Sequence, residues 1–408
     1  MVAASKFDFF IALDGLGLNG FEGFGGVARL RCEPDHDRYD IAVRFYDGIA
    51  GAHATQINDK GTVGFLGNLS QILFFYDPRT LEEIKRFSTL RFHAPEVFLS
   101  SQTHVVWMKE REFITVIGSD FYLFNLDDLE HPERIGAHGV FLPHAIKKSP
   151  SGNFLFYGSM DHDKKGYANH VGIFDLRKKE ARVVGLPATV WHLQTHPQKD
   201  IFYAPTQRCT PQGTDFTEYT IAHFKNYLFE IDGPTATVLR HIAIPKDLPG
   251  ALTSDVVVTE QEVLYNACAS SAIVRVDLPT FSQVKFIDER PTGRQVLRHW
   301  RAGVSNLVEA FSRANLPSNT HAFFKAVRIA RMSPLDGSFG LALSPCGKYL
   351  ISAHRGMNEV IVYEYPKIAV RKRIPFPPMR QFYPNRFGRL DDERLGFHHS
   401  TLSTATLG

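Results

Sequence analysis

Cysteine is scarce in this sequence: there are four cysteines in 408 residues, and none is spaced as a Cys-x-x-Cys pair. This scarcity argues against a disulfide framework and is typical of a protein from a reducing compartment. An excess of charge is also lacking, because 46 basic residues face 43 acidic ones. That balance gives no reason to expect nucleic acid as a partner.

Long apolar runs are missing as well. No stretch reaches the roughly 20 apolar residues that a membrane-spanning helix needs. Residues 1–6 do not have the character of a secretory signal. We therefore expect a cytoplasmic protein without an integral membrane segment.

One short frame recurs along the chain. A histidine opens an apolar run, a turn follows, and a second apolar run ends at a glycine or threonine 14 residues after the histidine. The four pairs are His53 and Gly67, His104 and Gly118, His144 and Gly158, and His192 and Thr206. Residues 254–268 and 339–353 keep the frame without the histidine. Paired apolar runs around a polar turn are typical of β-hairpins.

The spacing of these frames predicts an all-β fold, a seven-bladed β-propeller. Most intervals between frames suit one four-stranded blade. Six frames and residues 1–50 together give about seven blades, which would make residues 1–408 a single domain. Apolar residues at helical spacing predict a helical insertion at about 290–335. The tail at about 375–408 would wrap the surface or close the ring.

Two segments resemble a known type of propeller. PHAIKKSPSGNFLFYG at 143–158 and GLALSPCGKYLISA at 340–353 are similar to the Ser-Pro-Asp-Gly strand pairs of lactonase-like and quinoprotein-like seven-bladed propellers. The resemblance implies the same fold. It implies no particular activity, because many unrelated functions share this fold.

The four histidines of the frame are the main clue to function. The first strand of a propeller blade is the innermost, so residues at its start converge on one mouth of the channel. We therefore expect a metal site formed by four ligands: His53, His104, His144 and His192. Neutral imidazoles suit several transition metals, among them Fe(2+), Cu and Zn.

This arrangement resembles the carotenoid cleavage oxygenases, seven-bladed propellers in which four histidines hold a catalytic Fe(II). Three short segments are similar too: THPQKD at 195–200, SDVVVTE at 254–260 and GFH at 396–398. The resemblance implies a non-haem iron site with His196 and His398 as alternative ligands. Ser254 stands where that family has a ligand, so its histidine set does not carry over whole.

Further polar residues are candidates for roles at the same site. Asp161 and His162 lie in a long loop predicted at the mouth, where they could act as a general base or bind substrate. Asp255 follows the channel position of its repeat, and its carboxylate could orient a ligand imidazole.

The sequence favours a metal-dependent oxygenase that acts on an apolar or aromatic small molecule. Three alternatives stay open. The metal could act as a Lewis acid in an isomerase or cyclase. A lactonase-type hydrolase would need carboxylates in the channel, and the six frame positions hold none. A non-catalytic interaction propeller would bind no metal. The oligomeric state is not predicted.

Overall fold

The computed structural model describes residues 6–14, 24–92, 103–140, 143–159, 170–206, 209–211, 219–221, 226–245, 253–267, 271–290, 292–293, 337–386 and 393–403. Their strands form seven four-stranded antiparallel sheets and one separate two-stranded hairpin. The protein is therefore an all-β, seven-bladed β-propeller, as its sequence predicts. In this part of the chain, no helix is long and apolar enough to cross a membrane.

Blade one joins the two ends of the described chain. From the outside inwards its strands are β3 (Arg38–Phe45), β2 (Gly26–Glu33), β1 (Phe7–Leu13) and β30 (Phe397–Ser403). Strand β30 pairs antiparallel with β1 and lies innermost. The tail thus closes the ring, which is one of the two roles expected for it.

Blades two to four follow in chain order, each with its first strand innermost. Blade two contains β4 (Thr55–Ile57), β5 (Gly64–Leu66), β6 (Ile72–Tyr76) and β7 (Glu83–Ser88). Blade three contains β8 (Val106–Trp107), β9 (Glu112–Ile117), β10 (Asp120–Asn125) and β11 (Asp128–Ala137). Blade four contains β12 (Pro143–Lys148), β13 (Phe154–Ser159), β14 (His170–Asp175) and β15 (Glu180–Gly185).

Blades five to seven have the same plan. Blade five contains β16 (Gln194–Thr195), β17 (Ile201–Pro205), β20 (Tyr227–Asp232) and β21 (Thr237–Ala243), with the hairpin β18 (Cys209–Pro211) and β19 (Tyr219–Ile221) inserted. Blade six contains β22 (Val256–Val258), β23 (Glu262–Ala267), β24 (Ala272–Asp277) and β25 (Val284–Asp288). Blade seven contains β26 (Ser338–Leu343), β27 (Tyr349–His354), β28 (Glu359–Glu364) and β29 (Ala369–Pro375).

Regular helical structure in the described residues is confined to short pieces. The 3-10 turns are Pro34–His36, Leu90–Phe92, Met379–Gln381 and Pro384–Arg386. The helical insertion predicted at 290–335 is not supported, and residues 294–336 lie outside the described residues.

Apolar side chains fill the layers between neighbouring blades. Between blades two and three, the ring of Phe75 meets Phe113 at a centroid distance of 5.2 Å. Between blades four and five, Phe156 stacks on Phe202 at 4.6 Å. Burying one such side chain stabilises the fold by roughly 1.5–3 kcal/mol. These layers hold the inner strands in fixed positions around the channel.

Candidate metal centre

At the same mouth of the channel, each blade contributes one residue that lies in its inner strand or two residues before it. From blade one onwards these seven residues, the mouth ring, are His398, His53, His104, His144, His192, Ser254 and Phe339. Five successive blades therefore contribute an imidazole. The structure brings together all four histidines of the repeated frame and adds His398, one of the two alternative ligands.

The imidazoles of the mouth ring form one cluster. Ring nitrogens of His104, His144 and His192 all lie within 4.8 Å of one another, and these three side chains are buried. The Nε2 atoms of His53 and His144 are 3.1 Å apart. His398 lies on the other side of His53, with ring centroids 4.1 Å apart.

By the type of its donor atoms, the set suits a transition-metal ion. Two imidazole nitrogens bound to one such ion at about 2.0–2.1 Å stand roughly 3.0–3.4 Å apart, depending on the coordination geometry. The separation of 3.1 Å between His53 and His144 lies in that range. Ligand sets made of imidazoles suit Fe, Cu, Zn and Ni better than Mg or Ca. His53, His104, His144 and His192 would therefore be the residues that hold the ion.

Two glycines of the repeated frame, Gly67 and Gly158, leave room for the next blade to reach the mouth. A Cβ atom on Gly67 would lie 1.9 Å from the carbonyl oxygen of Thr103, the residue before His104. A Cβ atom on Gly158 would lie 2.5 Å from the carbonyl oxygen of Trp191, the residue before His192. Both glycines therefore set the position of a histidine in a neighbouring blade.

Irregular strand pairing accompanies the mouth ring. The pairing of β12 with β13 shifts by one residue just after His144. Equivalent shifts occur around Phe339 in β26 and around His398 in β30. Such β-bulges bend a strand and change the direction of its side chains, and they are common beside functional sites. Here they occur where the inner strands present the mouth ring.

A hydroxyl group orients one of the buried imidazoles. Thr103 Oγ1 and His104 Nδ1 are hydrogen-bonded at 3.0 Å, and Thr103 is itself buried. Thr115 Oγ1 donates to the backbone oxygen of His104 at 2.9 Å. With Nδ1 engaged, Nε2 is the nitrogen of His104 that is suited to bind a metal.

Burial keeps imidazoles of the cluster in their neutral form. Burial, reinforced by the positive charge of Arg355, lowers the pKa of His53 to about 3. Burial, with the charges of His53 and Lys147, holds the pKa of His144 well below its usual range. Only a neutral imidazole can bind a metal, so both side chains are ready to do so at neutral pH.

The two positions of the mouth ring without histidine have different surroundings. Ser254 Oγ donates to the Phe339 backbone oxygen at 2.5 Å and accepts from Asn266 Nδ2 at 3.1 Å. These contacts tie blade six to blade seven. The ring of Phe339 lies between His398, at a centroid distance of 5.8 Å, and the guanidinium of Arg355, at 4.7 Å. The aromatic side chain at this position of the mouth ring is therefore buried against an imidazole and a guanidinium.

Arg355 is held in place beside the cluster. One of its terminal nitrogens lies 2.8 Å from Asp14 Oδ2, and the other donates to the Phe397 backbone oxygen at 3.2 Å. Both side chains of the ion pair are mostly buried. The pair fixes a positive charge next to Phe339 and the start of β30.

Other residues singled out in the sequence have different positions. The structure does not bring His196 to the cluster. It lies in the turn after β16, where its Nδ1 accepts the backbone N–H groups of Gln198 and Lys199. The predicted catalytic residues Asp161 and His162 lie outside the described residues.

Asp255 lies in the channel wall, one residue beyond the mouth ring. Its Oδ2 accepts the backbone N–H of Leu341 in blade seven at 3.1 Å, and its backbone N–H donates to Asn266 Oδ1 at 2.8 Å. Its charge also acts on Lys147 of blade four. A role for Asp255 in orienting an imidazole stays a prediction.

Lys147 is the channel residue that the sequence did not indicate. It follows His144 by three residues, and regular alternation along a strand would place the two side chains on opposite faces. The bulge in β12 changes that relationship. At the bulge, Ala145 has a left-handed backbone conformation, with φ 49°. Alanine rarely adopts this conformation, so the sequence does not predict the bulge.

Comparisons with known proteins identify the fold and no family. No protein-family model matches the chain, and no curated protein sequence matches it. The solved structure of dihydro-heme d1 dehydrogenase NirN in complex with DHE matches at 11% identity and a TM-score of 0.50, covering 90% of this chain and 73% of that one. The Cps50 (Swd1) β-propeller domain of Myceliophteria thermophila matches at 12% identity and a TM-score of 0.48, covering 80% and 87%. The class defined by fold and site is a β-propeller with a histidine cluster at the channel mouth.

Proposed function

We propose that the protein is a metal-dependent enzyme, a non-haem iron oxygenase that acts on an apolar or aromatic small molecule at the mouth ring. The observation that carries the proposal is the convergence of imidazoles from successive blades. Ring nitrogens of His104, His144 and His192 lie within 4.8 Å of one another, and His53 Nε2 is 3.1 Å from His144 Nε2.

The residues have separate roles in this proposal. His104, His144 and His192 hold Fe(2+) from three adjacent blades, and His53 completes the set, with His398 beside it as the alternative. Bound Fe(2+) supplies the activation of dioxygen. Thr103 fixes the orientation of the His104 ring through the bond to Nδ1. Burial supports the neutral state of His53 and His144 that metal binding needs.

The substrate is placed on the side of the mouth that has no histidine. Ser254 is engaged in the contact between blades six and seven, so it is not proposed as a ligand. Phe339 offers an aromatic face there, packed against His398 and Arg355. An apolar or aromatic group fits such a surface, because stacking and burial favour it over water.

Dioxygen consumption tests the proposal. The protein is loaded anaerobically with Fe(2+) or with Zn(2+), and oxygen uptake is followed with a panel of aromatic and alkene compounds. We expect uptake with Fe(2+), none with Zn(2+), and none in a His144→Ala variant loaded with Fe(2+). If the protein converts a compound without oxygen uptake, whether it is loaded with Fe(2+) or with Zn(2+), the result would support the isomerase or cyclase instead. Failure to retain either metal would leave an interaction propeller.

A further inference from the structure

The bulge in β12 places a lysine on the same face of the strand as a histidine of the mouth ring. His144 pairs with Gly158, and Lys147 pairs with Phe156. Between these two pairs, β12 advances by three residues and β13 by two. Gly158 and Phe156 are two residues apart and share a face of β13. His144 and Lys147 therefore share a face as well, and the bulge at Ala145 makes this possible.

The neighbours of Lys147 on β12 point the other way. Ile146 packs with Val106 and Phe121 of blade three, and Lys148 Nζ donates to the backbone oxygen of Trp107 at 2.9 Å. Lys147 thus leaves the strand on the side of blade five and the channel, where it is half-buried. The charge of Asp255 in blade six acts to raise the pKa of Lys147, although blade five stands between the two blades. This long-range effect agrees with a side chain directed towards the channel, as the strand geometry indicates.

The lysine charge is only partly compensated. No carboxylate of the described residues lies within 4.0 Å of the Lys147 ammonium, in contrast to the ion pairs seen elsewhere in the protein. Asp255 Oδ2 accepts the Leu341 backbone N–H. Burial lowers the pKa of Lys147, and Asp255 opposes that change. A half-buried cation without a carboxylate in contact is incompletely compensated, so an anionic ligand at this place would be stabilised.

We propose that Lys147 is the group that binds the substrate's carboxylate, and that the substrate of the mouth ring is an apolar carboxylic acid. Lys147 lies two rungs along the channel from His144, about 7 Å at the usual rise of a strand. A molecule with its carboxylate at Lys147 would hold its apolar part at the histidines and Phe339. This inference rests on the proposed function for the reaction, but the binding of the acid does not depend on the metal.

Calorimetric titration with 3-phenylpropionate and its neutral amide tests the proposal on metal-free and Zn(2+)-loaded protein. In the parent protein we expect the acid to bind at least about tenfold more tightly than the amide. Lys147→Met should remove this preference, and Lys147→Arg should keep much of it. Lys148→Met is the matched control, because Lys148 is the next residue and faces blade three. It should leave the preference unchanged.

Each outcome separates this proposal from the proposed function. Equal affinities for acid and amide in the parent protein, including no measurable binding of either, would overturn the role of Lys147. So would an unchanged preference in a folded Lys147→Met or Lys147→Gln variant. A preference that depends on Lys147 in a protein that retains no metal would support the anion site and sink the oxygenase. Metal retention without a preference for the acid would leave the proposed oxygenase standing and overturn the anion site at Lys147.

Discussion

His53 and His144 place their Nε2 atoms 3.1 Å apart, although 91 residues separate them in the chain and blade three lies between their blades. Without an ion, one neutral imidazole donates a hydrogen bond to the other. If both rings were protonated, two positive charges would be in contact. Bound to one ion, both nitrogens are satisfied together. This contact is one of the geometric observations on which the proposed metal site rests.

Gly67 should be necessary for the site as well as for the fold. Gly67→Ala would place a Cβ atom 1.9 Å from the Thr103 carbonyl oxygen, and the segment that carries His104 would have to shift. We expect a loss of about 1–3 kcal/mol in the free energy of unfolding and weaker metal binding. Urea unfolding and metal titration measure the two effects.

The control for this prediction is a glycine without close neighbours. A Cβ atom on Gly185 would meet no atom within 4 Å. Gly185→Ala should therefore leave metal binding unchanged and alter the free energy of unfolding by no more than about 1 kcal/mol. Similar losses in Gly67→Ala and Gly185→Ala would show that the close approach to Thr103 is unimportant.

The hydroxyl beside His104 should tune metal affinity. Thr103→Val removes the bond to Nδ1, so the imidazole loses the partner that orients it. We expect metal affinity to fall by roughly ten- to a hundredfold with the fold intact. Competition with a chelator provides the affinity. Thr206→Val, which removes another buried hydroxyl whose bonds are to the backbone of Tyr227, should not change the affinity.

A buried carboxyl group between blades six and seven should make stability depend on pH. Burial raises the pKa of Glu289 to about 7, against the lowering influence of Ser352, Tyr363 and Arg373 and with Glu359 raising it further. The native state thus holds a proton that the unfolded chain releases near its ordinary pKa of about 4.3. The stabilisation is present below that pH and is lost as the pH rises to about 7, by roughly 3–4 kcal/mol in all.

The comparison of Glu289→Gln with the parent protein isolates this effect. The amide can still accept the hydrogen bond from the Tyr363 hydroxyl, which Glu289 accepts at 2.8 Å, and it does not titrate. Between pH 5 and pH 8, the parent should lose stability relative to the variant in urea unfolding. Glu364→Gln, a change at a half-exposed side chain of β28, should follow the parent. Parallel curves for the parent and Glu289→Gln would contradict the prediction.

The sequence contains most of the fold because each blade repeats the same local pattern. Apolar runs around a turn specify hairpins, and Gly67 and Gly158, each 14 residues after a histidine, lie where the next blade passes close by. Blade one lacks the frame because its inner strand β30 and its second strand β1 lie at opposite ends of the chain. For that reason spacing alone did not place His398 at the mouth, whereas the resemblance of residues 396–398 did.

Residues that depend on three-dimensional detail were harder to predict. His196 matches a short family segment, but the backbone N–H groups of Gln198 and Lys199 use its Nδ1 in a turn. From the sequence, Lys147 is an ordinary strand residue, because no sequence pattern predicts the left-handed conformation of Ala145. The same limit applies to Asp255, whose contact with Leu341 crosses from one blade to the next.

Elemental analysis tests the central claim most directly. The parent protein, His144→Ala and His138→Ala are loaded anaerobically with Fe(2+) or Zn(2+), desalted and analysed for metal. His138 is a buried histidine outside the mouth ring whose Nε2 is hydrogen-bonded to the Gly118 backbone oxygen at 3.0 Å. We predict about one ion per chain in the parent and in His138→Ala, and a loss of at least about tenfold in affinity in His144→Ala. Equal metal content in all three proteins, or none in the parent, would contradict the account.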